Sequence, residues 1–214
     1  MNTKPEKFME QTIIHHDSHY DPEASKIGMW LFIFTELLLF GGLFIIYSVY
    51  RFMNPEAFHL AAEELDTTIG AINTIILLVS SMTIAMATSA IQNKNIKLTQ
   101  TLLGITVVLA LVFLVNKYFE WGAKFEHGIF PGSEHLINDM SKGEILFFGL
   151  YFVMTGLHAL HIVIGMVFII FVMALVAKQK VHPERYALLE NSGLYWHLVD
   201  AIWIFLFPLF YLIT

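Results

Sequence analysis

From Ile27 to Tyr50 the chain carries one carboxylate, Glu36, and no lysine or arginine. Four further stretches are comparably apolar, at about 67–91, 98–121, 144–177 and 193–213. About 20 residues at 1.5 Å rise cross a hydrocarbon core about 30 Å thick, and each stretch meets that length. Lipid offers no partner to peptide groups, so only helices and closed barrels span a membrane. None of the five alternates with the period of a barrel strand. The expected fold is all-α, an integral membrane five-helix bundle. Composition agrees, with 57% apolar and 14% charged residues, against about a quarter charged in a soluble domain.

The connecting segments predict orientation. With the N-terminus inside, the inner segments hold Lys4, Lys7, Lys26, Lys94, Lys97, Lys178, Lys180 and Arg185, whereas the outer ones hold Arg51, Lys124 and Lys142. Positive charge gathers on the cytoplasmic side, so the expectation is N-terminus inside and C-terminus outside. Residues 1–26 then form a polar cytoplasmic tail without a signal-peptide core, and 27–214 the transmembrane domain. Insertion is left to the spans. The net charge of −6 provides no basic face for nucleic acid. The absence of cysteine excludes disulfides, thiolate-bound metals, iron–sulfur clusters and c-type haem attachment.

Polar residues inside the spans carry the functional signal. Glu36 lies about nine residues into the first span, roughly 14 Å deep. One reading is a protonated carboxyl bonded to a neighbouring helix, since burial without a cation favours the neutral form. The other is a proton-handling or lipid-contacting group. Gly41 and Gly42 would admit another backbone one turn away. Lys117 and Glu120, at i and i+3, are read as an ion pair at the outer interface, where lysine snorkels and Trp121 anchors.

His158 and His161 lie on the fourth span; His197 and Asp200 open the fifth at i and i+3. A haem ligated by two histidines is disfavoured, because His161 and His197 differ in depth by about 18 Å. Interhelical hydrogen bonds are expected instead, from histidine to serine, threonine or backbone, with Asp200 orienting His197 or a partner-subunit donor. His15, His16, Asp17 and His19 form a metal-like cluster, read as fortuitous affinity in a tail. Asn73, Ser80, Ser81 and Thr83 on the second span read as helix-packing residues.

Five stretches, "SKIGMWLFIFTELLLFGGLF", "INTIILLVSSMTIA", "KYFEW", "FFGLYFVMTGLHALHIVIG" and "LYWHLVDAIWIFLFPLFY", together resemble subunit III of the haem–copper respiratory oxidases. The HxxH of the fourth and the WHxVDxxW of the fifth are the most specific. The resemblance covers roughly residues 25–213. It implies an accessory, non-redox subunit of a proton-pumping terminal oxidase that reduces oxygen to water in aerobic respiration. Haem and copper then reside in partner subunits I and II, with no cofactor in this chain beyond bound phospholipid. The bacterial inner membrane is the implied location, and a respiratory supercomplex a further association. By the same resemblance Glu36 matches the family's carbodiimide-reactive carboxylate; Glu120, His197 and Asp200 match family positions. Two N-terminal helices of the longer family form are absent, as in short bacterial members. Lys117 stands where mitochondrial members have glutamine.

Two alternatives stay open at this level. One is the subunit-III-like partner of nitric oxide reductase. The other is a stand-alone transporter or proton channel using Glu36, for which the inverted repeats or broken helices typical of transporters are not evident.

Overall fold

The computed structural model describes residues 22–212. Seven helices follow in order: α1 (Pro22–Met53), α2 (Pro55–Glu63), α3 (Thr67–Gln92), α4 (Ile96–Glu126), α5 (Glu134–Asp139), α6 (Lys142–Ala177) and α7 (Ala187–Tyr211). Five of them, α1, α3, α4, α6 and α7, are long and apolar enough to cross a membrane. The short α2 and α5 occupy the connections after the first and third spans. No strand occurs among the described residues beyond a single bridge between His182 and Arg185. His15, His16, Asp17 and His19 lie outside the described residues.

Local chemistry sets the helix ends. The Asp66 side chain accepts from the amides of Thr68 and Ile69 and starts α3. Ser141 and Glu144 form a reciprocal capping box at the start of α6, satisfying two otherwise orphaned amides. Helices α3, α4 and α6 end alike: the amide two residues beyond the cap reaches back five residues, as in Asn95 to Ala90, Ile129 to Lys124 and Lys180 to Leu175. This Schellman turn requires a left-handed residue. Gly128 supplies it after α4 at φ 69°, whereas Lys94 (φ 60°) and Gln179 (φ 54°) supply it after α3 and α6.

Helix α7 is the most enclosed span and α1 the least. α7 packs against α1, α3 and α6, while α3 also packs along α4, and α4 along α6. Gly165 permits the α6–α7 approach. A Cβ placed there would stand 2.8 Å from the Tyr195 ring and 2.9 Å from that of Trp196. Gly41 and Gly42, read from the sequence as close-approach positions, have open space where a Cβ would be. No helix among the described residues packs against them.

Helix α1 is held at both ends. At its start the Lys26 ammonium stands 3.0 Å from the Glu190 carboxylate, and the Asn191 amide donates to Ser25 Oγ at 2.8 Å. Towards its other end the fully buried Tyr47 donates its hydroxyl proton to the Leu209 carbonyl. Glu36 lies between these two fastenings.

Candidate functional site

Glu36 meets His161 across the α1–α6 contact, with Oε2 2.9 Å from Nε2. The pair is largely enclosed, at 14% and 10% side-chain exposure for Glu36 and His161, and the Phe40 ring meets the imidazole edge-on. On its other side, His161 Nδ1 lies 2.8 Å from the Leu157 carbonyl. A carbonyl only accepts, so Nδ1 must carry a hydrogen. The Nε2–Oε2 contact is then a hydrogen bond only if it holds one more proton, resident on the imidazole or on the carboxyl. A pair joined in that way holds a single proton between the two groups and carries no net charge. Tyr195 of α7 donates to the His161 carbonyl at 3.0 Å, joining a third helix to the pair.

Depth explains why the sequence did not bring these two together. Hydropathy starts the first span at Ile27, but the helix begins at Pro22. Counted from there, Glu36 is about 21 Å along α1, and His161 about 24 Å from the corresponding end of α6. The polar residues of "PEASK" extend the helix by one and a half turns without adding hydropathy. Similarly, α7 begins at Ala187 rather than at 193, which moves His197 to about 15 Å from its end.

Lys117 and Glu120 are placed differently from the interfacial expectation. Both are buried, 3% and 6% exposed, and face into the bundle. Lys117 Nζ donates to Glu120 Oε2 at 3.2 Å, to Tyr151 Oη at 3.2 Å and to Tyr211 Oη at 2.8 Å. Both tyrosines donate their hydroxyl protons to Glu120 Oε1. The ammonium also faces the rings of Tyr151, Trp203 and Tyr211 at 5.0–5.5 Å, an arrangement that favours a cation. Three ammonium protons and two hydroxyl protons thus all find acceptors, and the network is closed. The lysine is turned inwards because Tyr151 of α6 and Tyr211 of α7 supply acceptors at 3.2 and 2.8 Å. Tyr151 and Tyr211 were not singled out in the sequence; a tyrosine in an apolar span gives no sign of which neighbour its hydroxyl meets.

His158 corrects another expectation. It is fully buried, and neither ring nitrogen has a hydrogen-bond partner among the described residues. Its ring stacks on Trp203 at 5.2 Å and meets Phe113 edge-on at 5.7 Å, so aromatic faces enclose it where a hydroxyl was expected. His197 Nδ1 lies 2.7 Å from Ser81 Oγ. Asp200 does not orient His197, because neither of its carboxyl oxygens has a hydrogen-bond partner among the described residues.

The second-span polar residues each meet another element. Asn73 Oδ1 accepts from Asn116 at 2.8 Å, Ser80 Oγ from Trp196 at 3.0 Å, and Thr83 pairs with Thr106 at 2.8 Å. Thr74, unremarked in the sequence, accepts from Trp203 at 3.0 Å. Among the described residues no group of three or more His, Asp or Glu gathers to hold a metal ion.

A family profile described as "Cytochrome c oxidase subunit III" matches residues 7–214. The chain is 32% identical over 200 residues to "Cytochrome c oxidase subunit 3" of Synechocystis, covering 92% of this chain and 79% of that protein. It is 28% identical to "Probable quinol oxidase subunit 3" of Staphylococcus saprophyticus, with 91% of each chain covered. It is also 33% identical to "Heme-copper oxidase subunit I+III" of Aeropyrum pernix, covering 91% of this chain and 23% of that protein. The profile spans nearly the whole chain, including all five membrane helices and the Glu36–His161 pair, and the chain belongs to the cytochrome c oxidase subunit III family.

Proposed function

We propose that this multi-pass membrane protein is an accessory, non-redox subunit of a proton-pumping haem–copper terminal oxidase, and that the Glu36–His161 pair is the centre of its contribution. The chain stabilises the catalytic subunit I, with subunit II completing the core. Haem, copper and oxygen chemistry reside in those partners. Phospholipid binds along α1, and the pair supports proton uptake by its neighbour. The N-terminal end of α1 faces the bacterial cytoplasm and the C-terminus the outside, in keeping with the lysine and arginine distribution.

The observation that carries this reading is the enclosed 2.9 Å contact between Glu36 Oε2 and His161 Nε2. A carboxyl and an imidazole joined by one proton are tolerated deep in a membrane because the unit has no net charge. They can still exchange that proton without altering the fold. Helix α1 is the least enclosed span and exposes Trp30, Leu31, Phe34, Leu38 and Ile45, an apolar face suited to lipid or a neighbouring subunit. One relative's name joins subunits I and III in a single chain, which suits direct contact with the catalytic subunit. Relatives carry both cytochrome c and quinol oxidase names, so either donor suits the partner.

Two measurements test the reading. Mild-detergent purification followed by mass spectrometry and an optical spectrum should recover a haem–copper catalytic subunit, subunit II and phospholipid. Recovery of the chain alone, with proton flux in vesicles, would return the transporter alternative. In the purified complex, Glu36→Gln retains a donor to His161 but holds no exchangeable acid proton. Assembly and initial oxygen consumption should be preserved while activity declines sooner during sustained turnover. An unchanged turnover lifetime would remove Glu36 from the proposal.

A further inference from the structure

Asp200 is the one carboxyl among the buried side chains without a hydrogen-bond partner in the described residues. It is 3% exposed, and neither carboxyl oxygen has a hydrogen-bond partner among the described residues. None of the ion pairs among those residues includes it. It stands about 20 Å along α7 from Ala187, within the membrane-spanning part of the chain. A buried, unpaired carboxylate at that depth is costly.

Asp200 stands at i+3 from His197 on one face of α7, and His197 Nδ1 lies 2.7 Å from the hydroxyl of Ser81 on α3, with which Asp200 also interacts. His197 lies on the membrane-facing stripe of α7 with Ala201 and Ile204, and both it and Ser81 keep some exposed surface. His197 Nε2 has no partner among the described residues and is not enclosed. An imidazole open at the α3–α7 seam, a hydroxyl and an unpaired buried carboxyl thus follow one another inwards.

We propose that His197, Ser81 and Asp200 form a proton-binding site that opens on the α3–α7 seam, with water as donor and Asp200 as the terminal acceptor. In the unloaded state His197 carries its hydrogen on Nδ1 and donates it to Ser81 Oγ, whose hydroxyl turns towards the Asp200 carboxylate. A proton from water adds to Nε2. The Nδ1 proton passes to Ser81 Oγ, and the former Ser81 proton passes to Asp200. The products are a neutral carboxylic acid, a serine hydroxyl now directed at Nδ1, and a neutral imidazole bearing its hydrogen on Nε2. One proton enters, one is held, and the water is left as hydroxide that solvent reprotonates. The loaded site carries no net charge. It is separate from Glu36–His161, which joins α1 to α6.

The test is infrared difference spectroscopy of the full-length chain in its purified complex during exchange from H2O into D2O. A carboxylic-acid C=O band should shift in D2O and be absent in Asp200→Asn. If that variant does not assemble, Asp200→Glu makes the assignment by moving the band. Ser81→Ala and His197→Phe should each slow the isotope shift about tenfold, equivalent to about 1.4 kcal/mol on the barrier. His158→Phe, which removes a buried imidazole off this route, should leave the rate unchanged. The proposal is overturned if no band is assigned to Asp200, or if the band exchanges at the wild-type rate in Ser81→Ala or His197→Phe. Slowing in His158→Phe equal to that in His197→Phe also overturns it. Because the signal belongs to this chain, the result is independent of which oxidase the chain serves.

Discussion

Replacing Lys117 by methionine distinguishes a buried ion pair from a surface one by magnitude. Methionine keeps the length and apolar bulk of lysine but removes the ammonium. Glu120 then keeps its two tyrosine donors and loses the cation 3.2 Å away. The hydroxyls of Tyr151 and Tyr211 each lose a donor. Removing one partner of a buried pair costs about 3–5 kcal/mol, because the remaining charge stays buried without compensation. An interfacial pair would cost about 0–1 kcal/mol. Unfolding in mixed micelles with rising sodium dodecyl sulfate, followed by tryptophan fluorescence, should therefore place Lys117→Met several kcal/mol below wild type. Lys117→Met combined with Glu120→Leu removes both charges, and its loss should fall well short of the sum of the two single losses. A loss under about 1 kcal/mol in the single variant, or additive losses in the double, would refute the buried closed network.

Two further predictions use the same unfolding assay. Gly165→Ala sets a methyl group within 3 Å of the Tyr195 and Trp196 rings, and overpacking of this kind costs about 1–3 kcal/mol; Gly42→Ala, made where space is open, should leave stability nearly unchanged. Lys94→Gly and Gln179→Gly relieve left-handed residues at φ 60° and 54° and should each stabilise the chain by about 1 kcal/mol, with no gain indicating that the Schellman turns impose little strain.

The spans were legible because membrane helices announce themselves by length and hydropathy alone. Their ends were not, since "PEASK" before Ile27 and "ALLENS" before Gly193 continue helices in polar or mixed sequence. Those few residues decided the site. Glu36 and His161 were each visible as membrane polar residues, but a span starting at Ile27 left them about 10 Å apart in depth. The direction of a side chain was less legible still. Lys117 near the end of an apolar stretch has the same sequence signature whether it reaches for headgroups or for Tyr151 and Tyr211. The second-span hydroxyls, by contrast, were read as packing groups, and Ser80, Ser81 and Thr83 do meet α4 or α7.

The polar clusters differ in whether their hydrogen bonds close, and this difference separates support from proton exchange. Among Lys117, Glu120, Tyr151 and Tyr211 every side-chain donor has an acceptor within the cluster. Such a network fixes α4, α6 and α7 against each other, and its loss should appear as instability. At Glu36–His161 one proton serves two basic atoms, and Tyr195 holds the imidazole through its backbone carbonyl without occupying either nitrogen. At Asp200 two acceptors have no donor. Both open sites lie at edges of the bundle, the α1–α6 contact and the α3–α7 seam, while the closed network joins α4, α6 and α7 near the end of α7. Substitutions at Glu36 or Asp200 that preserve shape should then alter proton exchange with little change in unfolding, and Lys117→Met should do the reverse. Measuring both quantities in all three variants tests that division directly, and a variant of the closed network that lowers isotope exchange at Asp200 without lowering stability would contradict it.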